Sequence, residues 1–494
     1  MAKLLNILFV SSEVDPFAKT GGLADVSGAL PQTIKGMEHE IRVIMPRYGS
    51  INERKSRLHQ MIRLNDIVIP VGSKTYPAAV KSSFITNNQI KVQVYFIDNP
   101  DLFGRTGLYV HPETKKDYHD NDERFIFFDK AVLELLKRLG WQPDIIHCND
   151  WQTGLIPAYL KTVYKDDPFY ADTRTVFTIH NMAYQGIFPK SSFAKTGLPP
   201  ALLSEDGIEA FGNVNLLKSG LMFADAITTV SEKYAEEIRT SEEYGCGLQD
   251  IVKRRKNDVS GIVNGIDYSV WDPSVDTLIP HRYDVRSLDQ KIEDKKALLR
   301  DMGLPFDEKI PVVGIISRLA DQKGFDLIGE VLDEIMKMGI QLVVLGTGEK
   351  KYHELFEKAH KKYPTKVGLS LTFNNTLAHL IEAGSDMFLM PSRYEPCGLN
   401  QLYSLRYGTV PVVRATGGLD DTIDDFNASS GEGTGFKFKK YDSHELIHAL
   451  QRAVHTFADA AVWRKLMRNG MAKDFSWEIS ARKYVQLYRN LVKK

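Results

Sequence analysis

Short apolar runs alternate with longer amphipathic stretches along this 494-residue chain, and this alternation constrains its fold more than any other feature. Runs typical of buried strands occur at Leu4–Val10, Ile41–Met45, Val92–Ile97, Ile145–His147, Arg174–Ile179, Ala226–Val230, Val312–Ile316, Gln341–Leu345, Met387–Met390 and Val410–Val413. Helical spacing of apolar residues lies between them, as at Glu123–Leu139, Asp326–Met338 and Lys350–His360. This order predicts an α/β protein whose parallel sheets are covered by helices on both faces. The alternating pattern of Ile67–Ser82 predicts an inserted β-hairpin.

The length of the chain predicts at least two domains. The segment Asn264–Asp284 is rich in Asp, Pro and aromatic residues, and its prolines interrupt regular structure. We therefore place a boundary at Gly265, between an N-terminal domain (1–265) and a C-terminal domain (266–470). Residues 471–494 contain a final amphipathic helix. Two doubly wound domains are expected to form a deep cleft, since open α/β sheets bind ligands at the carboxyl ends of their strands.

Composition excludes several classes of partner. Lys and Arg number 63 and Asp and Glu number 63, so nothing favours binding to nucleic acid or to an anionic membrane. Cys148, Cys246 and Cys397 are odd in number and widely spaced, which is typical of a reducing cytoplasm. Glu13 and Asp15 stand where a signal peptide needs small residues, so the apolar N-terminus predicts a strand. No apolar run reaches about 18 residues, so we expect a cytoplasmic protein without a membrane-spanning segment.

The turn Lys19–Asp25 follows the first strand and precedes a helix. Backbone N–H groups and the helix dipole favour an anion at such a turn. Gly21 and Gly22 allow a ligand to approach the backbone, and Lys19 adds a mobile charge. Taken alone, the pattern is equally typical of a tight turn with an exposed lysine.

Two turns of the second half have the same position after a strand. Ser317–Gly324 carries Arg318 and Lys323, which offer a guanidinium fork and a compact charge to phosphate oxygens. Pro391–Leu399 carries Glu395 just before a helix whose first N–H groups are free. The simpler interpretations are a solvated polar loop for the first turn and a helix cap for the second.

Polar residues also end two strands of the first half. His180 and Asn181 follow one strand, although a lone histidine is more often a satisfied core or turn residue. Asp150 follows another strand, where a carboxylate can bind hydroxyl groups. Weaker candidates for substrate contact are Tyr109, Asn264 and Gly346.

The sequence predicts no metal site. Asp120 and Asp122 form a D-x-D pattern, but they open a helix, where acidic residues satisfy free N–H groups and the dipole. His353, Glu354 and His360 lack the spacing of the H-E-x-x-H zinc motif.

Together these segments closely resemble the bacterial glycogen synthase and plant starch synthase family, in family order. The matching segments are Lys19–Val26, His147–Trp151, Thr178–Gly186, Asn264–Asp267, Ser317–Gly324, Glu395–Leu399 and Thr416–Leu419. There are two small departures. Asn149 stands where many bacterial members have His, and Ala415 stands where Arg is common.

The resemblance implies a GT-B fold of two Rossmann-like domains, with the final helix crossing back onto the first domain. It also implies ADP-glucose as donor, a retaining extension of an α-1,4-glucan at its non-reducing end, and no cofactor. Residues expected to touch the donor are Lys19, Gly22, Arg318, Lys323, Thr416, Gly417 and Gly418. His180 and Glu395 are expected beside the transferred glucose. Further substrate contacts are expected at Gly21, Asp25, Tyr109, Asp150, Asn181, Asn264, Gly346, Cys397, Gly398 and Leu399.

The residue types agree with such a reaction. A departing nucleoside diphosphate needs its negative charge stabilised, and Lys19, Arg318 and Lys323 suit that task without a metal. Domain closure would exclude water from the activated sugar. Glu395 could stabilise positive charge or bind a sugar hydroxyl. A transferase with a small acceptor and a silent glucan-binding protein remain alternatives, and the residues give no oligomeric state.

Overall fold

The computed structural model describes residues 3–87 and 90–493, and its internal contacts divide the chain into two compact units. Unit 1 contains the chain up to Val230, Ala235–Gly265 and the chain from Trp477 onward. Unit 2 contains Ser231–Tyr234 and Ile266–Ser476. Met1 and Ala2, the start of the apolar N-terminal segment, lie outside the described residues.

Unit 1 is built on a large, mostly parallel sheet. Its strands, in chain order with those of a small side sheet, are β1 (Asn6–Val10), β2 (Glu40–Pro46), β3 (His59–Gln60), β4 (Ile67–Val71), β5 (Lys74–Asn87), β6 (Ile90–Asp98), β7 (Ile145–Asn149), β8 (Arg174–Ile179), β9 (Ile187–Pro189), β10 (Glu209–Ala210), β11 (Asn213–Asn215), β12 (Ala226–Thr229) and β13 (Val259–Gly261). The main sheet has the order β13-β12-β8-β7-β1-β2-β6-β5-β3, and β10-β11-β9 form the side sheet. The pairs from β13 to β6 are parallel, as the apolar runs predict.

The inserted hairpin is confirmed as β4 and β5, which pair in antiparallel register. Its second strand is longer than predicted, because β5 continues along β6 and extends the main sheet. The hairpin is therefore an edge of the sheet and not a separate excursion.

Helices cover the sheet of unit 1. They are α1 (Gly22–Gly36), α2 (Pro100–Phe103), α3 (Asn121–Leu139), α4 (Leu155–Lys161), α5 (Phe193–Thr196), α6 (Leu216–Phe223), α8 (Glu242–Gly245) and α9 (Gln249–Arg254). The intervening helix α7 (Glu232–Glu237) is divided between the units, because its residues up to Tyr234 belong to unit 2. Short 3₁₀ helices occur at Ile62–Leu64, Trp151–Thr153, Lys190–Ser192 and Pro200–Leu202.

Unit 2 holds a parallel sheet with the order β16-β15-β14-β17-β18-β19. Its strands are β14 (Val312–Ile316), β15 (Gln341–Leu345), β16 (Val367–Ser370), β17 (Met387–Met390), β18 (Val410–Arg414) and β19 (Phe436–Phe438). Numbered within the unit, this is the order 3-2-1-4-5-6 of doubly wound nucleotide-binding folds. The sequence predicts β14, β15, β17 and β18 but not β16 or β19, in which small or polar residues (VGLS and FKF) interrupt the apolar run.

The helices of unit 2 continue the numbering. They are α10 (Lys291–Asp301), α11 (Phe325–Lys337), α12 (Lys350–Lys362), α13 (Asn375–Gly384), α14 (Asn400–Tyr407), α15 (Gly417–Thr422), α16 (Ser443–Phe457) and α17 (Ala460–Met471). Leu288–Gln290 and Asp321–Lys323 are 3₁₀ helices.

The final helix, α18 (Trp477–Val492), belongs to unit 1. His147 Nδ1 lies 2.7 Å from the Tyr488 hydroxyl, and Ser480 Oγ donates to Val263 O at 2.6 Å. The return to unit 1 begins at Trp477 and not at residue 471, because the side chain of Met471 is buried in a cluster of unit 2.

The D-x-D segment does open a helix, since Asp120 is the N-cap residue of α3. The predicted capping bond is absent for Asp120, whose carboxylate pairs instead with Arg105 at 2.6 Å. Asp122 pairs with Lys195 at 2.7 Å, and its Oδ1 also accepts the Glu123 amide hydrogen bond at 2.7 Å. The expected capping role is therefore wrong for Asp120, while Asp122 does satisfy an N–H group in the first turn of α3.

Within residues 3–87 and 90–493, no three or more His, Cys, Asp or Glu residues are grouped as a metal ion would require. No helix in this part of the chain is long and apolar enough to cross a bilayer.

Candidate active site

The turn after β1, Lys19–Gly22, is hydrogen-bonded to a buried carboxylate. Glu13 is 3% exposed and accepts hydrogen bonds from Thr20 Oγ1 at 2.6 Å, from the Thr20 amide, and from the Gly21 amide at 3.3 Å. The chain then enters α1 at Gly22, so the turn ends at a helix N-terminus. At its surface Lys19 pairs with Asp25 at 2.5 Å. Burial raises the pKa of Asp25, and Lys19 opposes that rise.

Gly21 borders open space. Its φ of −159° is extended backbone that any residue adopts, and no heavy atom of the described residues lies within 4 Å of where a Cβ would stand. Neither strain nor packing within the described chain explains a glycine at this position. The free volume beside the start of α1 is what a bound anion requires.

Tyr109 lies under the same turn. Its hydroxyl donates to Glu13 Oε1 at 2.8 Å and lies 2.7 Å from Ser12 Oγ. Burial raises the pKa of Tyr109, with the neighbouring Glu13 adding to the effect. The Tyr109 hydroxyl was expected to contact substrate. In the structure it is hydrogen-bonded to Glu13, the carboxylate that also binds the Thr20 and Gly21 amides.

Asp150, at the end of β7, has a strained backbone. Its φ of 57° and ψ of −178° fall in a region that is almost reserved for glycine. Its carboxylate accepts the His180 amide hydrogen bond at 2.7 Å, and burial raises its pKa to about 7. Strain of this kind persists where the surrounding structure enforces it, and it concentrates at functional sites.

The His180 ring is neutral, and one of its two nitrogens has a hydrogen-bond partner that determines where the ring proton lies. Asn149 donates through Nδ2 to Val10 O at 3.0 Å, so its Oδ1 faces His180 Nε2 at 2.9 Å. This arrangement assigns the ring proton to Nε2 and leaves Nδ1 as an acceptor. Burial lowers the pKa of His180 to about 3, so the ring acts as a hydrogen-bonding group and not as a cation.

The carboxyl edge of the unit 1 sheet thus carries two hydrogen-bonded groups. Gly21 and Tyr109 share Glu13 as partner, and Asp150 accepts from the amides of His180 and Asn181. Lys19 lies on the same turn as Gly21, and the side chain of Asn181 accepts the Ala183 amide hydrogen bond at 3.0 Å. Asn264, buried after β13, stands apart from both groups. Within residues 3–87 and 90–493, Asn264 Oδ1 has no hydrogen-bond partner.

In unit 2 the structure joins Lys323 to Glu395. Lys323 Nζ lies 2.6 Å from Glu395 Oε2, which also accepts from Ser392 Oγ at 3.1 Å, and the Glu395 side chain is only 7% exposed. The two turns that carry them are packed together: Gly324, at φ 74°, would place a Cβ 2.0 Å from Pro391 O. Arg318 is exposed on the loop after β14, at the same edge of the sheet.

Thr416, Gly417 and Gly418 form a turn against the backbone of Glu395–Cys397. A Cβ at Gly417 would lie 2.0 Å from Glu395 O, and one at Gly418 would lie 2.0 Å from Cys397 O. The Gly418 amide donates to Glu395 O at 3.1 Å. These glycines shape the loop that presents Glu395, whatever contact they make with a ligand.

Four other expected residues, Gly346, Cys397, Gly398 and Leu399, also have roles inside unit 2. Gly398, at φ 72°, lies just before Leu399, the N-cap residue of α14, and Cys397 is buried. The Gly346 amide donates to Ser370 O at 3.0 Å, and a Cβ there would meet Ser317 O at 2.0 Å. Packing against the loop after β14 therefore already accounts for this glycine.

Sequence reasoning gave no site role to Glu13 or Phe373, and it noted Asn149 only as a departure from the family pattern. Asn149 ends β7 and Glu13 comes three residues after the end of β1, so closeness to a strand end was the available signal. Phe373, in the loop after β16, is 89% exposed, a large fraction for a phenylalanine beside a ligand-binding edge.

Comparison with known proteins agrees with this geometry. The family model described as the starch synthase catalytic domain matches residues 6–254, and that of glycosyl transferases group 1 matches residues 301–468. The chain is 47% identical over 485 residues to the glycogen synthase of Koribacter versatilis, covering 98% of each protein. It is 46% identical over 501 residues to that of Desulforudis audaxviator, covering 99% of this chain and 97% of the relative.

The chain belongs to the glycogen and starch synthase family. The catalytic domain of starch synthase IV from Arabidopsis thaliana, bound to ADP and acarbose, matches all of both chains with a TM-score of 0.89 and 32% identity. A sucrose-phosphate synthase from Thermosynechococcus elongatus, at 18% identity and a TM-score of 0.60, shares the fold. As in other members of this family, the fold is GT-B, and the chain is a glycosyltransferase.

Proposed function

We propose that this protein transfers glucose from ADP-glucose to the non-reducing end of an α-1,4-glucan with retention of the α-configuration. The observation that carries the proposal is the buried Lys323–Glu395 pair at the carboxyl edge of the unit 2 sheet. It occurs in a family whose member starch synthase IV was solved with ADP and acarbose. The ADP and acarbose bound to that protein support the donor and acceptor classes proposed here.

In unit 2, we assign Lys323 and Arg318 to the diphosphate. Both lie in the loop that follows β14, where ligands of doubly wound sheets bind. The exposed ring of Phe373 offers a face on which the nucleotide base can stack. Glu395, held by Lys323 and Ser392, is assigned to the transferred glucosyl group.

In unit 1, we propose that Lys19 and the first N–H groups of α1 bind the negatively charged diphosphate. The Lys19–Asp25 pair is half exposed, so a doubly charged anion competes well for the lysine. His180 and Asp150 are assigned to sugar hydroxyls. Neutral His180 would accept a hydroxyl hydrogen bond at Nδ1.

The reaction breaks the bond between glucosyl C1 and the ADP oxygen and forms a bond from C1 to the 4-oxygen of the acceptor. The acceptor hydroxyl loses its proton, and ADP departs with an added negative charge. Preorganised donors at such a charge are worth about 10²–10³ in rate each. We assign to the Glu395 carboxylate the stabilisation of the positive charge that develops at C1.

The test is transfer of radiolabelled glucose from ADP-glucose or UDP-glucose to glycogen, to maltooligosaccharides and to small sugars. We expect ADP-glucose and glycogen to be the preferred pair and the product linkage to be digested by an α-1,4-specific hydrolase. Preference for a small acceptor would identify a different transferase, and absence of ADP release would indicate a silent glucan-binding protein. Activity should survive EDTA, since its loss would point to a metal-dependent reaction.

A further inference from the structure

We propose that Glu13 is a positioning residue that fixes the Lys19–Gly22 turn and directs the donor diphosphate to the N-terminus of α1. The proposal rests on the function proposed above and adds a residue that neither the sequence motifs nor the family match assigns. It concerns one carboxylate and the donors that surround it.

Both carboxylate oxygens of Glu13 have partners. Oε2 accepts from the amides of Thr20 and Gly21, and Oε1 accepts from Thr20 Oγ1 at 2.6 Å and from the Tyr109 hydroxyl at 2.8 Å. The side chain is 3% exposed. A carboxylate that accepts this many bonds holds its donors in one arrangement, because each unsatisfied buried donor costs about 1–3 kcal/mol.

The backbone that carries Glu13 is itself held in place. Ser11 Oγ donates to Glu13 O at 2.7 Å and accepts from the Glu13 amide at 3.3 Å. Ser27, on α1, donates to the same Ser11 hydroxyl at 2.9 Å. The end of β1, the turn and the start of α1 therefore form one hydrogen-bonded assembly around Glu13.

This assembly has a consequence for an anionic ligand. The amides of Thr20 and Gly21 point at Glu13, so they are not available to phosphate oxygens. A buried negative charge also repels an anion from that side of the turn. What remains for the diphosphate is the open space beside Gly21, the first free amides of α1 and the lysine on the turn. Glu13 thereby sets where the diphosphate binds without touching it.

The experiment compares Glu13→Gln with Glu53→Gln, a matched control. Glu53 also lies in unit 1 and bonds to Arg47 and Lys81, away from the turn. Glutamine at position 13 presents an N–H group to donors, which breaks the arrangement with little change in volume. We expect the donor KM of Glu13→Gln to rise at least tenfold with an unchanged glycogen KM, and Glu53→Gln to behave as the wild type.

A milder variant guards against loss of folding. Thr20→Val removes one hydrogen bond to Glu13 and keeps the shape of the side chain, so the donor KM should rise about threefold. ADP affinity, measured by calorimetry below the melting temperature of each variant, should fall in the same order. A donor KM and ADP affinity equal to the control would overturn the proposal. A wild-type protein that binds ADP but transfers no glucose would contradict the proposed function. The calorimetric ADP affinities of the variants would still decide the role of Glu13.

Discussion

The same four residues, Thr-Gly-Gly-Leu, form a turn in each unit, and the two turns use their glycines for different reasons. Thr20–Leu23 leads into α1 of unit 1, and Thr416–Leu419 leads into α15 of unit 2. At Gly21 the Cβ position is open among the described residues, whereas at Gly417 and Gly418 it is filled by the backbone of Glu395 and Cys397. One turn keeps space free, and the other packs against the loop of a candidate catalytic residue.

The charges beside the two turns differ in the same way. Lys19 and Asp25 are 47% and 30% exposed at their side chains, while Lys323 and Glu395 are 21% and 7% exposed. Exposed pairs contribute about 0–1 kcal/mol, but removing one partner of a buried pair costs about 3–5 kcal/mol. We infer that Lys19 of unit 1 can leave Asp25 to bind an anionic ligand. In unit 2, Lys323 and Glu395 stay paired in the absence of a ligand.

The largest expected effect is that of Glu395→Gln. It should lower kcat about 10³-fold, because the carboxylate proposed to stabilise charge at the reacting carbon becomes neutral. It should also lower the melting temperature, since Lys323 loses its buried counter-ion. Steady-state kinetics and calorimetry would measure both effects.

The double variant Lys323→Met with Glu395→Gln is the control for that result. It should recover melting temperature, because no unpaired charge remains, but it should not recover activity. A Glu395→Gln protein with wild-type kcat would remove Glu395 from the reaction and would leave the pair with a purely structural role.

Gly418→Ala should have the next largest effect. Its methyl group would lie 2.0 Å from Cys397 O, so the loop that carries Glu395 must move. Overpacking of this kind costs about 1–3 kcal/mol, and displacement of Glu395 should reduce kcat at least tenfold. A variant with wild-type melting temperature and kcat would contradict the packing that distinguishes the second turn.

These glycines show what the sequence could and could not predict. The strand-to-helix rhythm gives the sheets, the turns and most of the candidate residues, because apolar runs and polar strand ends are local features. The motif Thr-Gly-Gly-Leu predicts a turn in both places, but it cannot tell an open glycine from a packed one. That distinction depends on Cys397, which is 21 residues away from Gly418 along the chain.

Long-range partners account for the other differences as well. Tyr109 reaches Glu13 across 96 residues, and Lys323 reaches Glu395 across 72. Asp120 was expected to cap α3 from its local pattern, but its charge is taken by Arg105. Sequence patterns locate polar residues at the edge of a sheet, and the tertiary fold decides which of them become partners.

Gly21→Ala is the converse of Gly418→Ala. The extended φ of Gly21 accepts alanine without strain, and the added methyl meets no described atom. The free energy of unfolding should therefore stay within about 1 kcal/mol of the wild type, since alanine also lowers the entropy of the unfolded chain. If the open space receives the donor, the donor KM should rise about tenfold with little change in kcat. Unchanged donor kinetics would mean that no substrate group uses this space.

The last prediction concerns stability alone and extends the comparison to a neutral carboxyl. Burial raises the pKa of Asp150 from 3.8 to about 7, in contrast to the ion-paired Glu395 of unit 2. Between about pH 4 and pH 7 the folded protein keeps a proton on Asp150 that the unfolded chain has lost. The contribution of Asp150 to stability is therefore complete below pH 4 and decreases as pH rises towards 7, by at most about 1.4 kcal/mol per pH unit.

Asp150→Asn isolates this contribution, because asparagine still accepts the His180 amide hydrogen bond but does not ionise. The stability of the variant relative to the wild type should rise steadily between pH 4.5 and pH 7, as measured by denaturant unfolding at each pH. His180 and His147, whose pKa values burial lowers to about 3, destabilise both proteins equally as pH falls below about 6.5. Their effect cancels in the difference between the two proteins. A difference that does not change with pH would show that Asp150 is already ionised at pH 5, and its carboxylate would then be a second buried charge at the edge of the unit 1 sheet, in addition to Glu13.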